Sequence, residues 1–141
     1  MSAEGKYDKS IELYERALRI RTATLGEMHA DTAATIRSMG VSYGKKGQYD
    51  RAIELYERAL RIQTATLGEM HASTAGTIRS MGASYSKKGQ DDRAIELTER
   101  ALRICHQALG PHHPQTQETE QSLANARSNA ARQSQTGRGR R

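Results

Sequence analysis

Five histidines and one cysteine are the residues of this 141-residue chain whose types invite metal or catalytic chemistry. Cys105, His106, His112 and His113 lie close together, and a thiolate with imidazoles suits zinc. The spacing argues otherwise. Cys105 and His106 are neighbours on a helical stretch, so their side chains diverge by about 100 degrees, and no Cys-x-x-Cys pair exists. His29, His71 and His113 recur about 42 residues apart, as repeat residues placed to hydrogen-bond near a helix start. A lone cysteine also lacks the histidine and acid that would activate it as a nucleophile. No metal, cofactor or catalytic role is therefore expected. The remaining candidates are cations. Arg37 and Lys45, with Arg79 and Lys87 one period later, suit carboxylates, which a guanidinium holds through two parallel hydrogen bonds.

A repeat positions these residues. Tyr49 to Gln90 matches Tyr7 to Gln48 at about 35 positions, and Asp91 to Arg132 begins alike (DDRAIELTERALRI) before diverging. A fixed period of this size marks a stacked array whose units bury their faces against their neighbours. Each unit holds two helical stretches. One carries the stripe Ile11, Tyr14, Ala17, Leu18 and Leu25, recurs at Ile53 to Leu67 and Ile95 to Leu109, and stops at Gly26, Gly68 and Gly110. The other covers Asp31 to Lys46 and Ser73 to Lys88, with Asp31 and Ser73 as expected N-caps. Its stripe of Ile36, Met39, Gly40 and Tyr43 is narrower, with small residues for close approach. The link Gly47-Gln48 is so short that the pair must fold back as an antiparallel hairpin. Arg37, Val41 and Lys45 then share one helix face at i, i+4 and i+8.

The third unit departs from the pattern. Glu120 stands where Ile36 and Ile78 stood, and Arg127 where Tyr43 and Tyr85 stood; only Leu123 and Ala124 keep the buried pair. A polar outer face suits a capping helix over about 114–132. The expected organisation is a flexible 1–6, an array over 7–132 and a disordered basic tail over 133–141. That tail explains the charge. Of the net +6, the five arginines from Arg127 onward, with no acid among them, carry +5. The body is close to neutral, and the tail has no aromatic to stack bases, which argues against nucleic acid or membrane as partner. No apolar run spans a membrane, the N-terminus lacks a secretory core, and one cysteine forms no internal disulfide. A cytoplasmic protein is the expectation. Its first helix lacks a hairpin partner, so either the chain is a fragment of a longer array or that open face serves self-association.

Met39-Gly40, Tyr43, Ala52, Tyr56 and Ala59 together resemble the tetratricopeptide repeat (TPR) pattern. The junctions LGEMHADTA, LGEMHASTA and LGPHHPQTQ are similar to the LGxxHPxTA junction of kinesin-light-chain-type repeats. The resemblance implies an all-α fold, a right-handed α-solenoid of antiparallel helix hairpins whose first helices line a concave groove for peptides. Its register puts Arg37, Val41 and Lys45, then Arg79, Ala83 and Lys87, then Gln121 and Asn125 on that groove. Ala34, Gly44, Gly76, Ser86 and Glu118 accompany them. Asparagines typical of kinesin light chains are absent near Arg37-Ser38 and Arg79-Ser80, so cargo specificity does not carry over. The implied function is a non-enzymatic scaffold that binds a peptide or partner protein, with acidic character favoured by the arginines. A self-assembling structural array and an adaptor working through the arginine-rich tail are the alternatives.

Overall fold

Each repeat junction starts its helix with an imidazole. The Nδ1 atoms of His29, His71 and His113 accept hydrogen bonds from the backbone N–H two residues on, at 3.0, 3.0 and 3.1 Å. An acceptor there satisfies one of the N–H groups that a helix start leaves without a partner. His29 and His71 therefore cap the helices that Asp31 and Ser73 were expected to cap, because the imidazole reaches the amide two residues on while its own backbone stays extended.

The computed structural model describes residues 2–139, with side chains through Gln135. Among the described residues it holds six helices and no strand: α1 Ala3–Leu25, α2 Ala30–Lys45, α3 Tyr49–Thr66, α4 Ala72–Lys87, α5 Asp91–Leu109 and α6 Pro114–Gly139. Consecutive helices pack on one another, α2 with α3 and α4 with α5 forming the tightest hairpins. The architecture is an α-solenoid. Gly26, Gly68 and Gly110 turn the junctions at φ values of 90°, 96° and 85°, which disfavour any side chain. Behind them Thr32 and Thr74, both fully buried, donate to the carbonyls of Gly26 and Gly68 at 2.9 Å and pin each junction to the helix it precedes.

Two apolar clusters form the core. One joins Ile11, Ala33, Ile36 and Met39 to Leu55, Ala59 and Ile62; the other joins Ala52, Ile53 and Tyr56 to Ile78, Met81, Leu97 and Ile104. The narrow stripe of α2 has a definite purpose. A Cβ on Gly40 would lie 2.8 Å from the Tyr56 ring, so glycine lets α3 close down on α2. The same faces have a different fate in α1. Leu55 and Ile62 are 3% and 2% exposed under α2, whereas their counterparts Leu13 and Ile20 are 53% and 63% exposed.

Both chain ends differ from the sequence expectation. α1 starts at Ala3 rather than near Tyr7, because the Ser2 hydroxyl caps it by accepting from Gly5 N–H. α6 continues past 133 to Gly139, over most of the stretch expected to be disordered. The side chain of Arg138, and Arg140 and Arg141 entirely, lie outside the described residues. In α6, Leu123 is buried as expected, but Ala124 is exposed and Ala126 is buried instead. Gly40 and Gly82 lie under a following helix; among the described residues none follows α6, and Ala124 is exposed.

Candidate peptide-binding groove

The cationic face read from the sequence comes together along three adjoining clefts. Arg37, Val41 and Lys45 of α2 line a cleft of 360 Å³ against Tyr7 and Tyr14 of α1. Arg79, Ala83 and Lys87 of α4 line another, of 230 Å³, with Asn125 and Ala126 of α6 and Thr98 of α5. Between them lies a third, of 430 Å³, where Arg37 and Arg79 meet Gly76, Gln115 and Glu118. The two arginines each line two clefts and so join the three. Gln121 lines none of them; its amide donates to Asn125 Oδ1 at 3.0 Å. Gly44 also leaves the expected surface, lying 3.9 Å (as an added Cβ) from Ala52 in the α2–α3 contact. Lys45 projects its ammonium over the Tyr7 ring at 5.9 Å, a cation–π contact.

The two arginines are equivalent in sequence and unequal in surroundings. Residue 118 of α6 is glutamate, and its carboxylate lies 3.6 Å from the Arg79 guanidinium. One period earlier that position is Gly76, and the Arg37 guanidinium lies directly over it, with Nη2 3.2 Å from where a Cβ would be. Arg37 has no acid partner among the described residues; its buried Nε, like that of Arg79, lacks a hydrogen bond. Burial pushes its pKa below the usual arginine value; nearby Tyr56 raises it and nearby Arg79 lowers it. The guanidinium remains a cation, and one whose charge is poorly solvated. On its inner side stands Tyr56, whose phenol burial pushes up to about 12 while Arg37 pulls it back. Gln115 closes the cleft from the start of α6, with Nε2 donating to the Ala72 carbonyl at 2.9 Å.

Several of these partners were not among the sequence candidates. Tyr56 is legible in the sequence only as a residue of the repeat pattern, and Gln115 is fixed by no motif. The change Ala34, Gly76, Glu118 at one repeat position was a visible signal that successive arginines meet different neighbours. Among the described residues no group of three or more metal-ligating side chains exists. Cys105 is fully buried, with Sγ 3.7 Å from the Thr119 hydroxyl. No described helix is long and apolar enough to cross a membrane.

An array of stacked helix hairpins belongs to a known class. Tetratricopeptide repeat patterns match residues 2–65 and residues 74–115. The chain belongs to the tetratricopeptide repeat family, with repeats of the kinesin-light-chain type. Among solved structures it is similar to the nearly identical TPR-like repeats of a putative kinesin light chain of Podosopora anserina. That similarity has a TM-score of 0.79 and 28% identity, over 90% of this chain and 60% of the other; a singly substituted form of the same protein matches equally. It is also similar to BtubC (BKLC) of P. vanneervenii, with a TM-score of 0.81 and 27% identity over 90% of this chain and 51% of the other. The chain thus spans only about half to three-fifths of the length of these proteins. No curated protein matches the sequence. TPR arrays of this kind generally serve as non-catalytic modules for protein–protein interaction.

Proposed function

We propose that this array is a non-enzymatic scaffold whose concave face binds a peptide or partner protein through an acidic residue placed on Arg37. The observation that carries the reading is the contrast between the two arginines. Arg79 already has a carboxylate in Glu118, while Arg37 stands over Gly76 in an open cleft with none. An incoming carboxylate there gains charge-assisted hydrogen bonds from a poorly solvated donor. Val41 and Ala83 leave room for a peptide backbone alongside, and Lys45, Lys87 and Asn125 offer further polar contacts. In this reading the protein is cytoplasmic and carries no cofactor. An acidic peptide library screened against the protein and against an Arg37→Glu, Arg79→Glu double variant tests it. Circular dichroism first establishes that the variant keeps its helicity. Acidic binders lost in the variant support the groove; binders retained by the variant, or none with either protein, refute it.

A second reading is favoured by Leu13 and Ile20 of α1, whose counterparts in α3 and α5 are all buried. In it, copies of the chain assemble through the outer face of α1. Sedimentation that shows a concentration-dependent mass, lost on Leu13→Glu, supports assembly; a monomer at high concentration refutes it.

A further inference from the structure

The start of α5 breaks a pattern that the first two units share. In those units the lysine closing the first hairpin helix reaches the aspartate of the helix before it. Lys46 Nζ pairs with Asp8, and Lys88 Nζ pairs with Asp50. The third pair would join residue 130 to Asp92, but residue 130 is alanine. Asp92 is exposed and forms no ion pair among the described residues. Beside it, the position of Tyr7 and Tyr49 is taken by Asp91, which is only 5% exposed. Asp91 Oδ1 accepts from the Ser86 hydroxyl at 3.3 Å, and its Oδ2 is buried with no hydrogen-bond partner.

These residues surround a space. Asp91, Asp92, Ala130, Gln133 and Ser134 line one cleft of 680 Å³ between the start of α5 and the middle of α6. Arg93, the cation on its wall, is committed elsewhere. It pairs with Glu96 at 3.1 Å and lies over the Tyr85 ring at 5.8 Å. A buried carboxylate oxygen without a donor is costly, and two adjacent carboxylates favour a cation that brings several donors. The fold itself names the donor type, because a lysine ammonium fills this register in both other units.

We propose that this cleft binds a lysine side chain of a partner protein, its ammonium taking the position that Lys46 and Lys88 hold in the first two units. The ammonium pairs with Asp92 at the mouth, under the charge of Asp91 behind it. Gln133 and Ser134 add neutral acceptors, and Ala130 leaves the volume that the chain's own lysine fills elsewhere. The site is independent of the groove and of opposite charge to it.

The test is amide chemical-shift titration of the full chain with the peptide acetyl-Gly-Gly-Lys-Gly-Gly-amide, beside the same peptide with its lysine ammonium acetylated. The lysine peptide is expected to give saturable shifts at the Asp91, Asp92, Ala130 and Gln133 amides. The acetylated peptide, and the protein carrying Asp92→Asn, should each bind about tenfold or more weakly, as a lost charged hydrogen bond predicts. Ala130→Lys supplies the missing intramolecular lysine and should abolish the shifts. Unchanged amide positions in α2 and α3 establish that each variant is folded. Equal affinity for the acetylated peptide overturns the proposal. So does the absence of saturable shifts in the wild type, or undiminished binding by both variants.

Discussion

Two glycines one turn apart on α2 give a stability comparison from which helix propensity cancels. Replacing either Gly40 or Gly44 with alanine gains about 1 kcal/mol of propensity in a helix interior. The added methyl groups meet different surroundings. At position 40 it would lie 2.8, 3.1 and 3.3 Å from three atoms of the Tyr56 ring, which is 3% exposed and hemmed in by the core. At position 44 its nearest neighbour is the Ala52 Cβ at 3.9 Å, an ordinary contact. Forcing a methyl into a packed contact costs about 1–3 kcal/mol, so Gly40→Ala should be less stable than Gly44→Ala by about that amount. Gly44→Ala should exceed the wild type. Urea unfolding followed by far-ultraviolet circular dichroism measures both midpoints. In a Tyr56→Ala background the ring is gone and the difference between the variants should vanish. Equal midpoints of the two variants in the wild-type background would refute the packing argument.

Other outcomes follow from individual contacts. His71→Ala removes the cap of α4 and should cost about 1 kcal/mol in urea unfolding, while His71→Ser, a good capping residue, recovers most of it. Equal stability of the Ala and Ser variants would show that the imidazole cap contributes nothing. Glu118→Gln frees Arg79 of its carboxylate; the pair is largely solvated, so stability should change by less than about 1 kcal/mol, and affinity for an acidic groove peptide should rise a few-fold. Calorimetry at low and high salt checks this, and unchanged or weaker binding contradicts it. Tyr56, with its phenol pushed up to about 12, holds its proton in the folded chain after an ordinary tyrosine has lost it. The stability linked to this proton is fully present below about pH 10 and is lost as pH rises from about 10 to about 12, where the unfolded chain has already released the proton that the folded chain still holds. Unfolding in that window releases a proton, so rising pH favours the unfolded state. Tyr56→Phe should flatten that part of the stability–pH curve, and an unchanged slope counts against the assignment.

The array was legible because its period, its glycine stops and its alternating wide and narrow stripes all recur in the first two units. The ends were less legible. Ser2 sits in a polar lead-in whose helix depends on one cap, and α6 keeps its helix through residues without apolar anchors. Ala124 was read as buried by register alone, but burial there requires a following helix that the described chain does not supply. In the groove, the i, i+4, i+8 spacing placed Arg37, Val41 and Lys45 together, since a single helix fixes that geometry. What escaped was the relation between helices. That Gly76 lies under Arg37, that Glu118 meets Arg79, and that Gln121 turns to Asn125 all depend on the offset between successive units. No spacing within one helix encodes that offset.

The most direct measurement of the central claim is the affinity of one acidic peptide for two single variants, Arg37→Gln and Arg79→Gln, each confirmed folded by circular dichroism. Arg37 is the unpaired guanidinium, so Arg37→Gln should weaken binding about tenfold or more, as loss of a charged hydrogen bond predicts. Arg79→Gln should weaken it far less, because Glu118 already occupies Arg79. Equal losses in the two variants, or a larger loss from Arg79→Gln, would contradict the account.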